Sequence, residues 1–158
     1  MTVVLWRIAT DTRHYEANDL SGKGAERTGG RWNRPGRPVV YTASTVALAC
    51  LETVVHLNAA DLPLNLFLVR IEVPDDIWLA QRKLTPAGLP AGWSAIPEGK
   101  VSLDAGDAWL KDVATALLAV PSVIVPEEFN VLINPLHPDV AKAHAVKVRP
   151  WFYDRRLA

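Results

Sequence analysis

The sequence contains a single cysteine among 158 residues. Cys50 therefore has no partner for an internal disulfide, which suits a reducing compartment. The opening segment, MTVVLWRIATD, lacks the basic region of a signal peptide, and Arg7 interrupts its apolar run. No stretch approaches the roughly 18 apolar residues that a membrane-spanning helix needs. We therefore expect a cytoplasmic protein that makes no membrane contact.

An excess of charge of either sign is also missing. Lys plus Arg and Asp plus Glu number 17 each, so the formal net charge is zero. Nucleic-acid-binding proteins usually carry a basic excess, so we expect no direct contact with nucleic acid. The 4 histidines show no metal-ligand spacing, and Cys50 is alone, so we expect no metal site.

Three familiar catalytic or nucleotide-binding motifs are absent. Gly22-Lys23 is followed by Gly24 instead of Ser or Thr, which excludes a Walker loop. The segment GKGAER does not fit the dinucleotide-binding pattern G-x-G-x-x-G either. Nothing resembling G-x-S-x-G surrounds Ser122, so this serine is not the nucleophile of an α/β-hydrolase.

The chain length and the apolar pattern predict one domain over residues 1–158, with more strands than helices. Because the strands do not alternate regularly with helices, the expected fold class is α+β. The predicted strands are Val3–Ile8, Pro38–Thr42, Asn65–Val73, Ser122–Val125, Val131–Asn134 and Ala145–Trp151. Asn65–Val73 alternates, which predicts one buried face with Phe67, Val69, Ile71 and Val73, and Ile77–Ala80 is expected to extend this strand or to pair with it. The predicted helices are Ser44–Asn58, with Ser44 as its N-cap, Asp107–Leu118 and His137–His144, whereas Lys83–Val101 is predicted to be an irregular loop.

Glu52 lies on a predicted helix that is apolar almost all round, and it is the only acidic residue between Tyr41 and Ala60. Such a helix is normally buried, and a buried carboxylate needs a partner or a ligand. Two interpretations remain open. Glu52 is a structural carboxylate held by an arginine, by His56 or by a backbone donor, or it is a functional group that faces a pocket.

The segment TGGRWN, which spans residues 28–33, places two glycines before an arginine and a tryptophan. Glycine adopts positive φ readily, so the amides of Gly29 and Gly30 could form an anion-binding concavity. The planar guanidinium of Arg31 can hold a carboxylate or a phosphate through two hydrogen bonds. The alternative is an ordinary surface turn with a solvated arginine.

Four further residues are candidates for a site. Tyr41 ends the strand before the Glu52 helix, where its ring could stack on a flat ligand or its hydroxyl could satisfy the core. Ser122 follows a proline, and the pattern alone favours a turn hydroxyl that bonds to backbone groups. Trp32 and Asn33 could line the same pocket as Arg31.

Three segments together resemble the RES domain family, the toxins of RES–Xre toxin–antitoxin modules. They are SGKGAERTGGRWNRPGRPVVYTASTVALACLE, GDAWL and VPSVIVPEEFNVLINP, and the resemblance runs from Trp6 to about Trp151. It implies a fold similar to ADP-ribosyltransferases, toxicity through consumption of NAD⁺ as a substrate, and neutralisation by an Xre-type antitoxin. The family's Arg, Glu and Ser fall on Arg31, Glu52 and Ser122, and its active-site Tyr falls on Tyr41.

The resemblance also implies a chemical role for each of these residues. Cleavage of the nicotinamide–ribose bond passes through an oxocarbenium-like transition state, which the carboxylate of Glu52 would stabilise. Arg31 would hold the pyrophosphate, and Tyr41 would stack on nicotinamide or ribose. Ser122 would orient a substrate hydroxyl or Glu52 itself. No cofactor is implied, since NAD⁺ is consumed.

Several alternatives remain open from the sequence. The acceptor of the ADP-ribose is water, phosphate or a host protein. A different class of function is a non-catalytic nucleotide-binding module in which Arg31 and Glu52 form a structural ion pair. The antitoxin is expected to cover the pocket around these two residues and to supply any DNA contact, because the chain shows no helix-turn-helix or basic stripe of its own.

Overall fold

The computed structural model describes residues 1–57 and 64–157. Within these residues, seven strands form one sheet in the order β4-β5-β6-β2-β1-β3-β7. The strands are Thr2–Thr10 (β1), Val40–Ala43 (β2), Leu66–Pro74 (β3), Arg82–Lys83 (β4), Leu117–Pro121 (β5), Phe129–Ile133 (β6) and His144–Pro150 (β7). The helices are Lys23–Thr28 (α1), Val46–Val54 (α2), Asp75–Leu79 (α3) and Lys100–Asp112 (α4), with 3₁₀ turns at Pro138–Lys142 and Arg155–Leu157. The predicted α+β class is confirmed.

The sheet is mixed. β4 pairs with β5 in parallel, and the other neighbouring strands pair antiparallel. The alternation predicted for β3 is confirmed, because Val69, Ile71 and Val73 are buried in one cluster of the core. The other face of β3 is also covered at its start, where Leu66 and Leu68 pack against α2.

Two predicted elements around β3 and α4 are wrong. Ile77–Ala80 is not a strand, since helix α3 begins at Asp75 directly after Pro74, and acidic residues in a first turn favour a helix. The helix predicted at Asp107–Leu118 begins earlier, at Lys100, and ends at Asp112. Val113 follows with a left-handed φ of 56°, which turns the chain out of the helix and into β5.

The predicted strand Ser122–Val125 is also wrong, because β5 ends at Pro121 and the next residues form a turn. The Ser122 hydroxyl closes this turn by accepting hydrogen bonds from the amides of Ile124 and Val125, both at 3.1 Å. These local bonds replace the bonds that a strand ladder would make.

Helix α2, which carries Glu52, is shorter and more exposed than its sequence predicts. Its N-cap is Thr45 instead of Ser44, with the Thr45 hydroxyl accepting the Leu48 amide at 3.1 Å. Only Leu48 and Ala49 are buried, so the expected all-round burial is wrong. The predicted end of this helix, Asn58, lies outside the described residues.

The segment that follows β7 packs against helix α2. Trp151 and Tyr153 pack with the cluster that includes Cys50, and the Tyr153 hydroxyl donates to Thr53 Oγ1 at 2.7 Å. This bond attaches the chain next to Glu52. Across residues 1–57 and 64–157, no helix is long and apolar enough to cross a bilayer.

Candidate active site

A cleft of about 950 Å³ lies where β1, β2, α1 and α2 meet. This volume is in the range of small-molecule binding sites. Three of the predicted site residues, Arg31, Tyr41 and Glu52, line it. The structure therefore brings together residues that come from a loop, a strand and a helix.

The two glycines before Arg31 serve the local fold. Gly29 has φ of 71° and its amide donates to Ala25 O at 2.8 Å, which ends helix α1. A side chain on Gly30 would meet the Tyr41 hydroxyl, since an added Cβ would lie 2.8 Å from it. The Gly30 amide donates to Asn33 O at 2.9 Å. The expectation that these amides form an anion-binding concavity is therefore wrong, because both are already bonded within the protein.

The buried side chain of Asn33 holds this loop in place through hydrogen bonds. It is 0% exposed, and its Nδ2 donates to Ala25 O and to Arg37 O, both at 2.9 Å. Its Oδ1 accepts the Tyr41 hydroxyl at 2.6 Å, and that hydroxyl in turn accepts the Trp32 amide at 3.0 Å. Burial raises the pKa of Tyr41 well above its usual range, against the lowering effect of the Trp32 amide. The Tyr41 hydroxyl donates one hydrogen bond and accepts another within the loop, so its ring is the part that faces the cleft.

Helix α4 holds the same loop from the other end. Gly106 allows the closest contact, because an added Cβ would overlap the Trp32 carbonyl oxygen. Asp107 accepts the Arg34 amide at 3.1 Å and the Arg34 guanidinium at 2.8 Å. The segments GDAWL and TGGRWN of the sequence are therefore in direct contact in the fold.

Arg31 lines the cleft and is partly engaged. Its Nη1 donates to Trp93 O at 3.1 Å and to Ala95 O at 2.8 Å. Among the described residues, Nε and Nη2 of this guanidinium make no hydrogen bond, and Arg31 makes no ion pair with Glu52. The hypothesis of a structural Arg31–Glu52 ion pair is therefore wrong.

Glu52 is held by two donors on the same carboxylate oxygen. Its Oε1 accepts the Ser122 hydroxyl at 2.6 Å and Asn130 Nδ2 at 2.8 Å. Its Oε2 accepts no hydrogen bond from the part of the chain that the structure describes. Ser122 is 0% exposed and its hydroxyl proton goes to Glu52, so it reaches the cleft only through that carboxylate. His56 is exposed at the rim of the cleft and makes no bond to Glu52 there.

Of the two residues that follow Arg31, only one reaches the cleft. Trp32 lines it and stacks on Trp93, with ring centroids 6.5 Å apart. Asn33 does not line the cleft and acts through the loop.

Two polar residues of the cleft wall, Arg7 and Asn130, bear on its chemistry and were not among the predicted site residues. Arg7 interrupts an apolar strand, which is the signal that could have revealed it. Its Nε is buried without a hydrogen-bond partner, and within the described ranges it makes no salt bridge. Burial lowers the pKa of Arg7, and the nearby Tyr15 and Asp19 oppose this. No comparable signal marks Asn130, because its contact with Glu52 spans 78 positions of sequence.

Comparison with known proteins places the chain in a family. The RES domain model matches residues 4–155. The chain is 60% identical over 157 residues to a protein of Sphingobium sp. (strain YBL2) named Prs ADP-ribosylating toxin, covering 99% of this chain and 98% of that protein. It is 43% identical to Toxin Res of Pseudomonas putida (strain KT2440), covering 98% and 99%. Toxin Res of Photorhabdus laumondii is 35% identical, covering 98% and 97%.

The match covers nearly the whole sequence, and it includes the loop, the strand and the helix that line the cleft. The relatives described above carry toxin names. The chain therefore belongs to the RES domain family, with its ADP-ribosyltransferase-like fold.

Proposed function

We propose that the protein is a toxin that breaks the nicotinamide–ribose bond of NAD⁺ and transfers the ADP-ribose to a protein acceptor. The observation that supports this most is the state of Glu52. One of its carboxylate oxygens is anchored and the other is unbonded among the described residues, on a cleft wall shared with two arginines. A fixed carboxylate of this kind can stabilise positive charge that develops on a ribose ring.

The reaction needs no general acid for the leaving group. When the C1′–N bond breaks, its electron pair goes to the pyridinium nitrogen, and nicotinamide departs as a neutral molecule. The ribosyl cation that remains has oxocarbenium character and is stabilised by Glu52. The acceptor then forms a new bond to C1′ and loses a proton. This chemistry requires one carboxylate beside the ribose, and Glu52 on the cleft wall can take that role.

The charges of the cleft suit the rest of NAD⁺. Arg7 and Arg31 line the cleft, and each has guanidinium nitrogens with no bond in the described structure. Half-buried guanidinium groups whose nitrogens lack acceptors are unfavourable, and a pyrophosphate would supply those acceptors. In this arrangement Arg31 binds the pyrophosphate through Nε and Nη2, because Nη1 already donates to the carbonyls of Trp93 and Ala95. The ring of Tyr41 contacts NAD⁺ while its hydroxyl remains hydrogen-bonded to the loop.

The relative named Prs ADP-ribosylating toxin favours a protein acceptor over water or phosphate. We therefore propose Prs as the acceptor for this chain as well. The test is to incubate the protein with NAD⁺ in plain buffer, in phosphate buffer and with purified Prs, and to measure nicotinamide release and the mass of Prs. We expect release to be fastest with Prs and Prs to gain ADP-ribose. Equal release in all three conditions with unmodified Prs would support hydrolysis and depletion of NAD⁺ instead.

The role of Glu52 is tested by Glu52→Gln, which keeps the shape and removes the charge. Losing one such electrostatic group typically lowers the rate by about 10² to 10³. We expect this loss in nicotinamide release with an unchanged circular dichroism spectrum. Release near the parent rate would assign Glu52 a structural role only.

The role of Arg31 is tested by Arg31→Lys, which keeps the charge but cannot span two oxygens. We expect weaker NAD⁺ binding by calorimetry, measured in the Glu52→Gln background so that no substrate is consumed. Arg82→Lys makes the same exchange on exposed β4, away from the cleft, and is the matched control. Equal affinities for the two lysine variants would remove Arg31 from phosphate binding.

We also propose that an Xre-type antitoxin silences the enzyme by covering the mouth of the cleft. Exposed apolar residues lie on that rim, with Val55 57% and Ile96 83% exposed, and they offer a surface for a partner. The test is NAD⁺ binding to a preformed complex of the antitoxin with the Glu52→Gln protein. Undiminished binding would mean that inhibition acts elsewhere.

A further inference from the structure

Asn130 on β6 has an orientation that its neighbour determines. Its side chain lies 2.8 Å from Glu52 Oε1. An ionised carboxylate only accepts hydrogen bonds, so the amide must present its NH₂ group to Glu52. The carbonyl oxygen Oδ1 then lies on the other side, where it is buried and has no hydrogen-bond partner in the described chain.

This unpartnered oxygen is unfavourable for folding. A buried carbonyl oxygen without a donor loses its bonds to water and gains nothing in exchange. Asn134, which follows the same strand, shows the ordinary structural arrangement: its Nδ2 donates to Leu110 O at 3.0 Å and its Oδ1 accepts the Leu136 amide at 3.1 Å. Stability alone therefore explains Asn134 but does not explain Asn130.

The bond to Glu52 offers a reason for keeping Asn130. The Ser122 hydroxyl reaches Oε1 from the end of β5, and Asn130 reaches the same oxygen from β6. Two donors from different parts of the chain fix the position of Oε1 more narrowly than one donor does, and the direction of the unbonded Oε2 follows from the position of Oε1. Helix α2 buries only Leu48 and Ala49, so it provides little of this constraint itself.

We propose that Asn130 is a positioning residue that, together with Ser122, holds Glu52 with Oε2 directed at the ribose of the substrate. This inference rests on the proposed function, and it adds to that function a positioning residue that lowers stability while it raises activity. Asn130 lowers the stability of the protein and raises its turnover. Such exchanges of stability for activity are common at active sites.

The experiment compares Asn130→Ala with Asn134→Ala by steady-state nicotinamide release and by thermal melting. For Asn130→Ala we expect kcat to fall about 10-fold, because a misplaced catalytic group costs that much or more. KM for NAD⁺ should stay within about 2-fold, and the melting temperature should be equal to or above that of the parent. Asn134→Ala should show the reverse, a lower melting temperature with kcat unchanged for the folded protein.

A second pair of variants tests whether Asn130 acts through Glu52. Adding Asn130→Ala to Glu52→Gln should reduce the residual release by less than about 2-fold, because the group that Asn130 positions is already disabled. A further 10-fold loss in that background would overturn the inference, as would an unchanged kcat or a melting temperature that falls as in Asn134→Ala. If the parent protein releases no nicotinamide from NAD⁺, the proposed function itself is wrong. That result is obtained before any variant is made, so it is distinct from a failure of this inference.

Discussion

The Arg31 loop, residues 28–37, and helix α2 each bring one charged side chain to the cleft, but they are held in different ways. The loop is fixed by buried hydrogen bonds of Asn33 and by backbone contact with Gly106 on α4. Helix α2 has little buried surface, and Glu52 is fixed by side-chain bonds from Ser122 and Asn130.

Because the two regions are held differently, substitutions in them should have different effects on stability and on activity. Where the loop is perturbed, buried polar groups lose their partners, so the free energy of unfolding and the activity should fall together. Where the surroundings of Glu52 are perturbed, only a few hydrogen bonds beside a cleft are broken, so activity can fall while the fold persists. The following substitutions test this contrast.

Asn33→Ala should have the largest effect. It removes the donor to the Ala25 and Arg37 carbonyls and the acceptor of the Tyr41 hydroxyl, all in a fully buried position. We expect the free energy of unfolding to fall by about 3 kcal/mol in a urea titration, with loss of NAD⁺ binding. A loss below about 1 kcal/mol would show that the loop does not depend on this network.

Gly106→Ala should come next, and the sign of its effect is informative. In an unobstructed helix interior this change stabilises by about 1 kcal/mol. Here the added methyl group would overlap the Trp32 carbonyl oxygen, so loop and helix must separate. We expect a net destabilisation of about 2 kcal/mol by chemical denaturation. A stabilised variant would mean that the contact with the Arg31 loop relaxes freely.

Tyr41→Phe should have a smaller effect, because the ring remains. The loss of the hydroxyl leaves Asn33 Oδ1 and the Trp32 amide without their partner. We expect a destabilisation of about 1 to 2 kcal/mol in the same titration. Because the ring offered to NAD⁺ remains while the loop that carries Arg31 is loosened, affinity measured by calorimetry in the Glu52→Gln background should fall together with the stability, and by less than in Asn33→Ala. A large loss of affinity with unchanged stability would assign the hydroxyl to the substrate.

Tyr153→Phe should have the smallest effect of the four. It breaks one partly exposed bond to Thr53, which also donates to the backbone of its own helix. We expect a loss of about 0.5 to 1 kcal/mol and a kcat for nicotinamide release close to that of the parent. A kcat reduced as strongly as in Asn130→Ala would show that the segment after β7 also positions Glu52.

Local patterns in the sequence predicted much of the sheet. The alternation in β3 assigned its buried face correctly, because side chains of a strand point to opposite sides in turn. Helix α3 was missed because its start is favoured by the acidic first turn of Asp75 and Asp76, which an apolar pattern does not reveal. The start of α4 was missed because its first turn carries neither an acidic residue nor a side-chain cap that would mark it in the sequence. The turn after Pro121 was missed because the Ser122 hydroxyl replaces ladder bonds, which an apolar run does not reveal.

For the cleft, the sequence indicated the charged residues but not what holds them. Arg31 and Glu52 stand out because such residue types are unusual beside glycines or inside an apolar helix. Asn33 does not stand out, because a single asparagine in a polar loop gives no sign that it is buried and bonded to Tyr41. Gly106 and Asn130 do not stand out, since their functions depend on contacts that join distant parts of the chain. Pairings of that kind follow from the order of strands in the sheet, which no local pattern encodes.

The contact between Gly106 and the Trp32 carbonyl limits how this protein can change during evolution. A clash between two side chains can be relieved by a second, compensating substitution. The atom that Gly106 meets belongs to the main chain, and every amino acid carries the same carbonyl oxygen. No replacement at position 32 can therefore make room for a larger residue at position 106, and a relative that has lost this glycine must have rebuilt the path of the loop that carries its arginine.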